Sequence, residues 1–240
     1  LEDGLVFRLH QQPGHMEPIP LSEAKVLPLV TPSKVVCVGL NYKAHAEELG
    51  YPLPNMPSFF LKPPSSIIGN GEPIVLPSGM GRIEHEAELA MVVGKVCRNL
   101  TPEEAEESLF GFTCGNDVPA REVQKVDPLI GHCKSYDTFC PIGPWIETEL
   151  EDINDLSIRC LVNGEVRQSA NTGDMIFRPL DLLCFLSRVM TLMPGDVILT
   201  GTPPGISPIQ ADDVVQVSIE GIGTLSNPVE GPGPEEKILT

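Results

Sequence analysis

Basic residues are scarce in this 240-residue chain: 16 Lys and Arg stand against 33 Asp and Glu, a formal net charge of −17. Such a surface repels phosphate backbones and anionic lipid, so no nucleic acid and no membrane partner is expected. Long hydrophobic runs are also missing. The most apolar stretch, residues 180–199, is interrupted by Asp181, Arg188, Pro194 and Asp196, well short of the roughly 20 apolar residues of a membrane span. The sequence opens Leu1-Glu2-Asp3, with no basic start, apolar stretch and small-residue cleavage site, and lacks an initiator Met, so a secretory leader is not expected. Seven cysteines, at 37, 97, 114, 133, 140, 160 and 184, are odd in number and never spaced as CxxC, against both a disulfide framework and a zinc ribbon. A soluble cytoplasmic protein with reduced thiols is the expectation. No internal repeat is visible.

What is present is enough for a real core: 41% of residues are hydrophobic and 20% charged. The 22 Gly and 25 Pro stay below the share typical of low-complexity chains. The prolines are spread along the length and punctuate many short segments. The length fits one large domain with a small appended piece. We expect a small N-terminal β module over residues 1–32, built on a hairpin of 5–9 and 25–30, then a main domain over 33–231 and a C-terminal tail over 232–240. Apolar, β-branched segments predict strands at 35–38, 58–61, 73–76, 86–96, 196–200 and 214–219. Within 157–168 the pair Asn163-Gly164 sits between alternating segments and supplies the positive φ angles of a tight hairpin. Helices are fewer. Thr101-Pro102-Glu103-Glu104 has a Thr cap, Pro at the first position and Glu three residues after the cap, predicting a helix over 102–109 that Gly111 stops. Residues 180–190 form the other helix. Strands outnumber helices without βαβ alternation, so the fold class is α+β, predominantly β.

Several islands hold chemistry. In Arg82-Ile83-Glu84-His85-Glu86-Ala87-Glu88-Leu89 three carboxylates alternate, and a strand there turns Glu84, Glu86 and Glu88 to one face. Two carboxylates about 5 Å apart repel by roughly 3 kcal/mol at an effective dielectric near 20, so the cluster calls for positive charge. A solvated acidic edge, or a helix with Glu84 and Glu88 on one side, is the bland alternative. Asp117 precedes Val118-Pro119, where an ordinary helix cap explains it equally. Lys134 lies in a Gly- and Pro-bordered stretch. His45 and Glu48 are three apart, so on a helix the carboxylate orients the imidazole as a general base requires, or the two make a surface contact.

The order of the motifs decides between these readings. Asn-Tyr-x-x-His-x-x-Glu at 41–48, Glu-x-Glu-Leu at 86–89, Asn-Asp-Val-x-x-Arg at 116–121, Lys-Ser-x-Asp-x-Phe-x-Pro-x-Gly-Pro at 134–144 and Pro-Gly-Asp-x-Ile-x-Thr-Gly-Thr-Pro at 194–203 together resemble the fumarylacetoacetate hydrolase superfamily. The resemblance spans about residues 35–229. It implies a mixed β-sandwich roll with a few short helices, and Glu86, Glu88 and Asp117 as ligands of one Mg²⁺ or Mn²⁺, a choice that suits hard, oxygen-binding cations. It further implies Lys134 as the active-site lysine, His45 and Glu48 as a water-activating pair on a mobile lid, and Gln124 and Thr202 as substrate contacts. Glu84 stays outside the matched positions, and His85 and Cys133 receive no role.

The implied substrate is a small-molecule 2-oxo or 1,3-dioxo acid processed through a metal-held enolate. The implied reaction is hydrolytic carbon-carbon cleavage. Enol-keto isomerisation of the 2-hydroxyhepta-2,4-diene-1,7-dioate type, or oxaloacetate decarboxylation or tautomerisation, is the alternative at the same site, and a silent ligand-binding member is the third class. Some acylpyruvate-cleaving relatives have Arg before Asn-Tyr where this chain has Leu40, so the Gly-Leu-Asn-Tyr form looks more like the diene-dioate isomerases or sugar-acid hydrolases. A homodimer is implied as well.

Overall fold

A computed structural model describes residues 5–6, 19–20, 27–127 and 129–231. Its elements run β1 (Leu5–Val6), β2 (Ile19–Pro20), β3 (Val35–Gly39), α1 (Lys43–Leu49), β4 (Ser58–Lys62), β5 (Ile67–Ile68), β6 (Ile74–Val75), β7 (Ala87–Val93), α2 (Pro102–Ser108), β8 (Leu109–Asn116), α3 (Arg121–Val126), α4 (Ile130–Lys134), β9 (Cys140–Glu147), β10 (Ser157–Val162), β11 (Glu165–Asn171), α5 (Pro179–Val189), β12 (Val197–Leu199), β13 (Val214–Ile219) and β14 (Gly223–Glu230). A seven-stranded sheet, β4-β3-β12-β7-β8-β9-β5, packs against a five-stranded one, β11-β10-β13-β14-β6. Pairing is mostly antiparallel, with parallel joins of β12 to β3, β5 to β9 and β14 to β6. This is the α+β, predominantly β sandwich the motifs implied.

Alternation along β7 sets the site. Ala87, Leu89, Met91 and Val93 join the large core with Ile158, Val215, Val217 and Leu225 of the second sheet. Ala90 belongs to a smaller core with Cys37, Cys140, Ile142 and Leu199, so side chains at 86, 88 and 90 point to the outer face. Both faces of β7 are buried along its whole length, which explains a sequence that is apolar through Val93 instead of alternating.

Local signals behave as physics requires. Thr101 and Glu104 make the reciprocal capping box of α2, but the helix ends by running straight into β8 at Leu109, before Gly111. The tip of the β10–β11 hairpin has Asn163 at φ 52° and Gly164 at φ 80°, the left-handed pair such a turn needs. Of the expected N-terminal hairpin, Leu5–Val6 pairs with Ile19–Pro20. Residues 27–30 form no strand, and the rest of that hairpin and the tail 232–240 lie outside the described residues. All seven cysteines are free and buried. Among the described residues no helix is long and apolar enough to cross a membrane.

Candidate metal centre and active site

The carboxylates do not share one strand. Glu84 makes an isolated bridge with Pro208, and β7 starts at Ala87, so Glu84 leaves the row while Glu86 and Glu88 stay on the outer face. Asp117 follows the end of β8 and sits opposite them, because Asp117 N–H donates to the Glu86 carbonyl at 2.9 Å. It is not a helix cap: α3 begins at Arg121 with Ala120 at the cap position. One carboxylate oxygen from each of Glu86, Glu88 and Asp117 lies within 4.8 Å of the others, and all three residues are buried. A compact triangle of buried carboxylate oxygens is the donor set of a hard divalent cation.

Cations already surround two of the three. Lys134 Nζ donates to Glu86 Oε2 at 2.7 Å and to Asp117 Oδ2 at 2.8 Å. Lys62 Nζ donates to Asp117 Oδ1 at 2.5 Å and to the Phe139 carbonyl at 2.7 Å. Arg121 is a fork: Nη2 donates to Glu86 Oε1 at 2.5 Å, Nε to Glu84 Oε2 at 2.6 Å and Nη1 to Gln124 Oε1 at 2.8 Å. Arg82 closes the set on Glu84 Oε1. Glu84 is therefore the buried counter-ion that holds Arg121 against Glu86.

Protonation follows from this arrangement. Burial alone would raise the Glu86 carboxyl, but Lys134 and then Arg121 outweigh it and bring it down to about 2. Burial would lower the Lys134 ammonium, yet Asp117 and Glu86 raise it above its ordinary value, so Lys134 is a fixed cation. Glu88 is the exception. Burial, then Asp117 and Glu86, push it well above the usual carboxylate range, while Lys134 and then the Gly201 N–H at 2.5 Å counteract. Of the three, Glu88 is the one without a side-chain cation in hydrogen-bond contact among the described residues. A divalent ion held by Glu86, Glu88 and Asp117 would supply positive charge at this corner, so the residues present fit the ion that the motifs implied.

The other expected residues are near but distinct. Asn41 donates to the Thr200 and Phe177 carbonyls and accepts from Phe177 N–H, which pins the start of α1 and holds Leu40 at φ 55°, a strained setting for a branched side chain. On α1, His45 Nδ1 and Glu48 Oε2 are 2.8 Å apart, and Glu48 Oε1 accepts from Gly205 N–H at 3.0 Å. His45 Nε2 takes no partner among the described residues. His45, Arg82, Arg121 and Gln124 line a cavity of about 520 Å³ with Tyr51 and Ile206. Thr202 is turned inward, its hydroxyl donating to the Ala87 carbonyl at 2.9 Å and accepting from Gln168 at 2.8 Å. Cys133 is buried, and burial raises its thiol, which leaves it inert as a nucleophile.

Sequence reasoning missed Lys62, Arg121 and Gln168, whereas Glu84, set outside the ligand positions in sequence, is the counter-ion of Arg121. Arg121 stood inside a matched motif, and Lys62 is a lone cation closing the apolar run Phe59-Phe60-Leu61. Gln168 left no signal beyond a polar residue in a strand.

Comparison with known proteins shows the family and the fold. The family model described as fumarylacetoacetate (FAA) hydrolase C-terminal matches residues 34–230, and the chain belongs to that family and is an enzyme. A structure of 2-hydroxyhepta-2,4-diene-1,7-dioate isomerase from Mycobacterium marinum is 45% identical, with a TM-score of 0.84 over 90% of this chain and 82% of that one. The human mitochondrial oxaloacetate tautomerase FAHD2A is 42% identical over 88% of this chain and 71% of its own. Maleylpyruvate hydrolase from Sphingobium sp. SYK-6, solved with manganese(II) and pyruvate, is 34% identical, with a TM-score of 0.79 over 90% of this chain and 77% of that one.

Proposed function

We propose that the chain is a divalent-metal-dependent enzyme acting on a 2-oxo or 1,3-dioxo acid through an enolate, with hydrolytic carbon-carbon cleavage as its full reaction. The observation that carries this is the buried triangle of Glu86, Glu88 and Asp117 with protonated Lys134 hydrogen-bonded to two of its members. Glu86, Glu88 and Asp117 would hold a Mg²⁺ or Mn²⁺ ion, which would supply positive charge at the 2-oxo acid end of the substrate. Lys134 adds a second fixed charge where negative charge develops as the enolate forms. Charge counting fits a dianion: Glu84, Glu86, Glu88 and Asp117 balance Lys62, Arg82, Arg121 and Lys134, and a divalent ion then leaves room for two negative charges.

His45, its Nδ1 held by Glu48, keeps Nε2 for a proton at the cavity. In hydrolysis that proton comes from the water attacking the distal carbonyl, and Glu48 stabilises the imidazolium that results. Gln124 and Arg121 border the cavity where the far end of the substrate lies. A second reading, tautomerisation of an enol dicarboxylate without water, is supported by the 42% and 45% identity to the tautomerase and the isomerase.

The test is a panel of acetylpyruvate, oxaloacetate and the hydroxy-diene-dioate, assayed with Mg²⁺ or Mn²⁺ and again after chelation. Activity that vanishes on chelation and falls at least about 10³-fold in Glu86→Ala fits the loss of a charge-stabilising centre, while unchanged activity in both overturns the proposal. Replacing His45 by Ala abolishes hydrolysis and spares tautomerisation if water attack is its task; equal losses in both remove that assignment. The reading includes a homodimer in a reducing cytoplasm. Tyr51, Leu53, Met56 and Leu129, each more than half exposed, are apolar surface available for a partner copy, and a monomeric mass by light scattering contradicts that part.

A further inference from the structure

The catalytic reading leaves out a buried polar chain that starts on the opposite sheet. Gln168 of β11 is 1% exposed. Its Oε1 accepts from Ala87 N–H and from His85 Nδ1, both at 3.0 Å. Its Nε2 donates to Thr202 Oγ1 at 2.8 Å and to the Pro203 carbonyl at 2.7 Å. A backbone N–H only donates and a carbonyl only accepts, so these partners fix which way the amide faces. They also fix the neighbours: His85 Nδ1 is a donor, His85 Nε2 accepts from the Ser207 hydroxyl at 2.8 Å, and Thr202 spends its proton on the Ala87 carbonyl.

The 201–205 turn that Gln168 grips has two further bonds. Gly201 N–H donates to Glu88 Oε2 at 2.5 Å, and Gly205 N–H donates to Glu48 Oε1 at 3.0 Å. Gly205 has φ +97°, and a Cβ there would overlap the Arg167 carbonyl and touch the backbone of Gln168. The turn therefore lies flat on β11 at the residue whose side chain binds it.

We propose that Gln168 is a positioning residue that locks the 201–205 turn and, through that one turn, holds both Glu88 in the carboxylate triangle and Glu48 on α1. The turn couples the helix that carries His45 to the metal site. Glu86 and Asp117 have lysine or arginine partners that owe nothing to the turn, so loosening it falls on Glu88 and on α1. The Glu88 half rests on the metal reading above; the α1 half does not. A residue that merely glued the two sheets together would, when replaced, disturb its own neighbours β10 and β11.

The experiment compares wild type with Gln168→Met, which removes every bond of the amide, and with Gln168→Glu, which keeps the acceptor for Ala87 and His85 but loses both donors to the turn. Hydrogen exchange is read peptide by peptide without metal, and Mn²⁺ affinity is measured by calorimetry. Both variants should exchange faster over residues 43–49 and bind Mn²⁺ more weakly, each by about tenfold, the scale of one hydrogen bond to a charged group, with β13 and β14 protected as in wild type. If Gln168→Met fails to fold, Gln168→Glu alone decides. Faster exchange confined to β10 and β11 overturns the proposal, as does a Gln168→Glu protein indistinguishable from wild type. A wild-type protein that binds no Mn²⁺ instead defeats the metal reading and leaves the exchange over 43–49 to judge this one.

Discussion

On the inner face of β7, Leu89, Met91 and Val93 are at most 1% exposed and share one core with Ile158 and Val217. On the outer face, Glu88 of the same strand and Glu86 just before it are buried almost as deeply, at 1% and 7%, among charges. The inner face is stabilised by removing apolar surface from water, about 1.5–3 kcal/mol for each large side chain. The outer face gains little from burial, since desolvating a carboxylate costs several kcal/mol and pairing only offsets it. Depth of burial is therefore no measure of what a residue contributes. The inner face builds the sandwich, and the outer face spends part of that stability to keep charges where solvent would scatter them.

That contrast can be tested by breaking each face. Lys134→Met leaves Glu86 and Asp117 without their shared cation and should lower the unfolding free energy of the metal-free protein by about 4 kcal/mol, the cost of breaking a buried pair. Mn²⁺ should restore much of the loss in thermal unfolding, because it supplies the missing positive charge. A loss that Mn²⁺ does not relieve places the damage in packing instead. Leu89→Ala on the inner face should cost about 3 kcal/mol by cavity formation and, while the protein is folded, leave Mn²⁺ affinity unchanged. A weaker Mn²⁺ affinity in that variant shows that the two faces are not independent.

The two faces were also unequally legible in sequence. The strand at β7, the capping box at Thr101 and the Asn163-Gly164 hairpin follow from local rules and stand in the fold. The carboxylate triangle was legible only as ordered motifs, since spacing alone left Glu84 level with Glu86 and Glu88. Most of β8 and all of β9 escaped because Leu109–Asn116 contains two glycines and Cys140–Glu147 contains Pro141, Gly143 and Pro144, residues that read as turns until burial outweighs propensity. Lys62 and Gln168 were invisible for another reason. Their partners, Asp117 and the 201–205 turn, are more than thirty residues away in the chain, and nothing local marks a polar side chain that finds its bonds only in the folded state.

The smallest effect is the sharpest test of the outer face, because it predicts a gain. In the metal-free protein Glu88 is raised well above the ordinary carboxylate range by burial, then Asp117 and Glu86, so the folded chain binds this proton more tightly than the unfolded one. Stability from Glu88 is then greatest below the unfolded value of about 4.5 and declines as pH rises through the range between the two. Glu86, drawn down to about 2, behaves oppositely: its contribution is present above about 4.5 and is lost as pH falls toward 2. Glu88→Gln keeps the shape and removes the charge, so it should raise the metal-free unfolding free energy at pH 7 by about 1 kcal/mol and flatten the decline above about pH 4.5. Melting temperatures across that range, for both proteins without metal, give the comparison. Parallel curves mean that Glu88 is already neutralised by another partner, and the outer face then has no vacancy of charge for a divalent ion to fill.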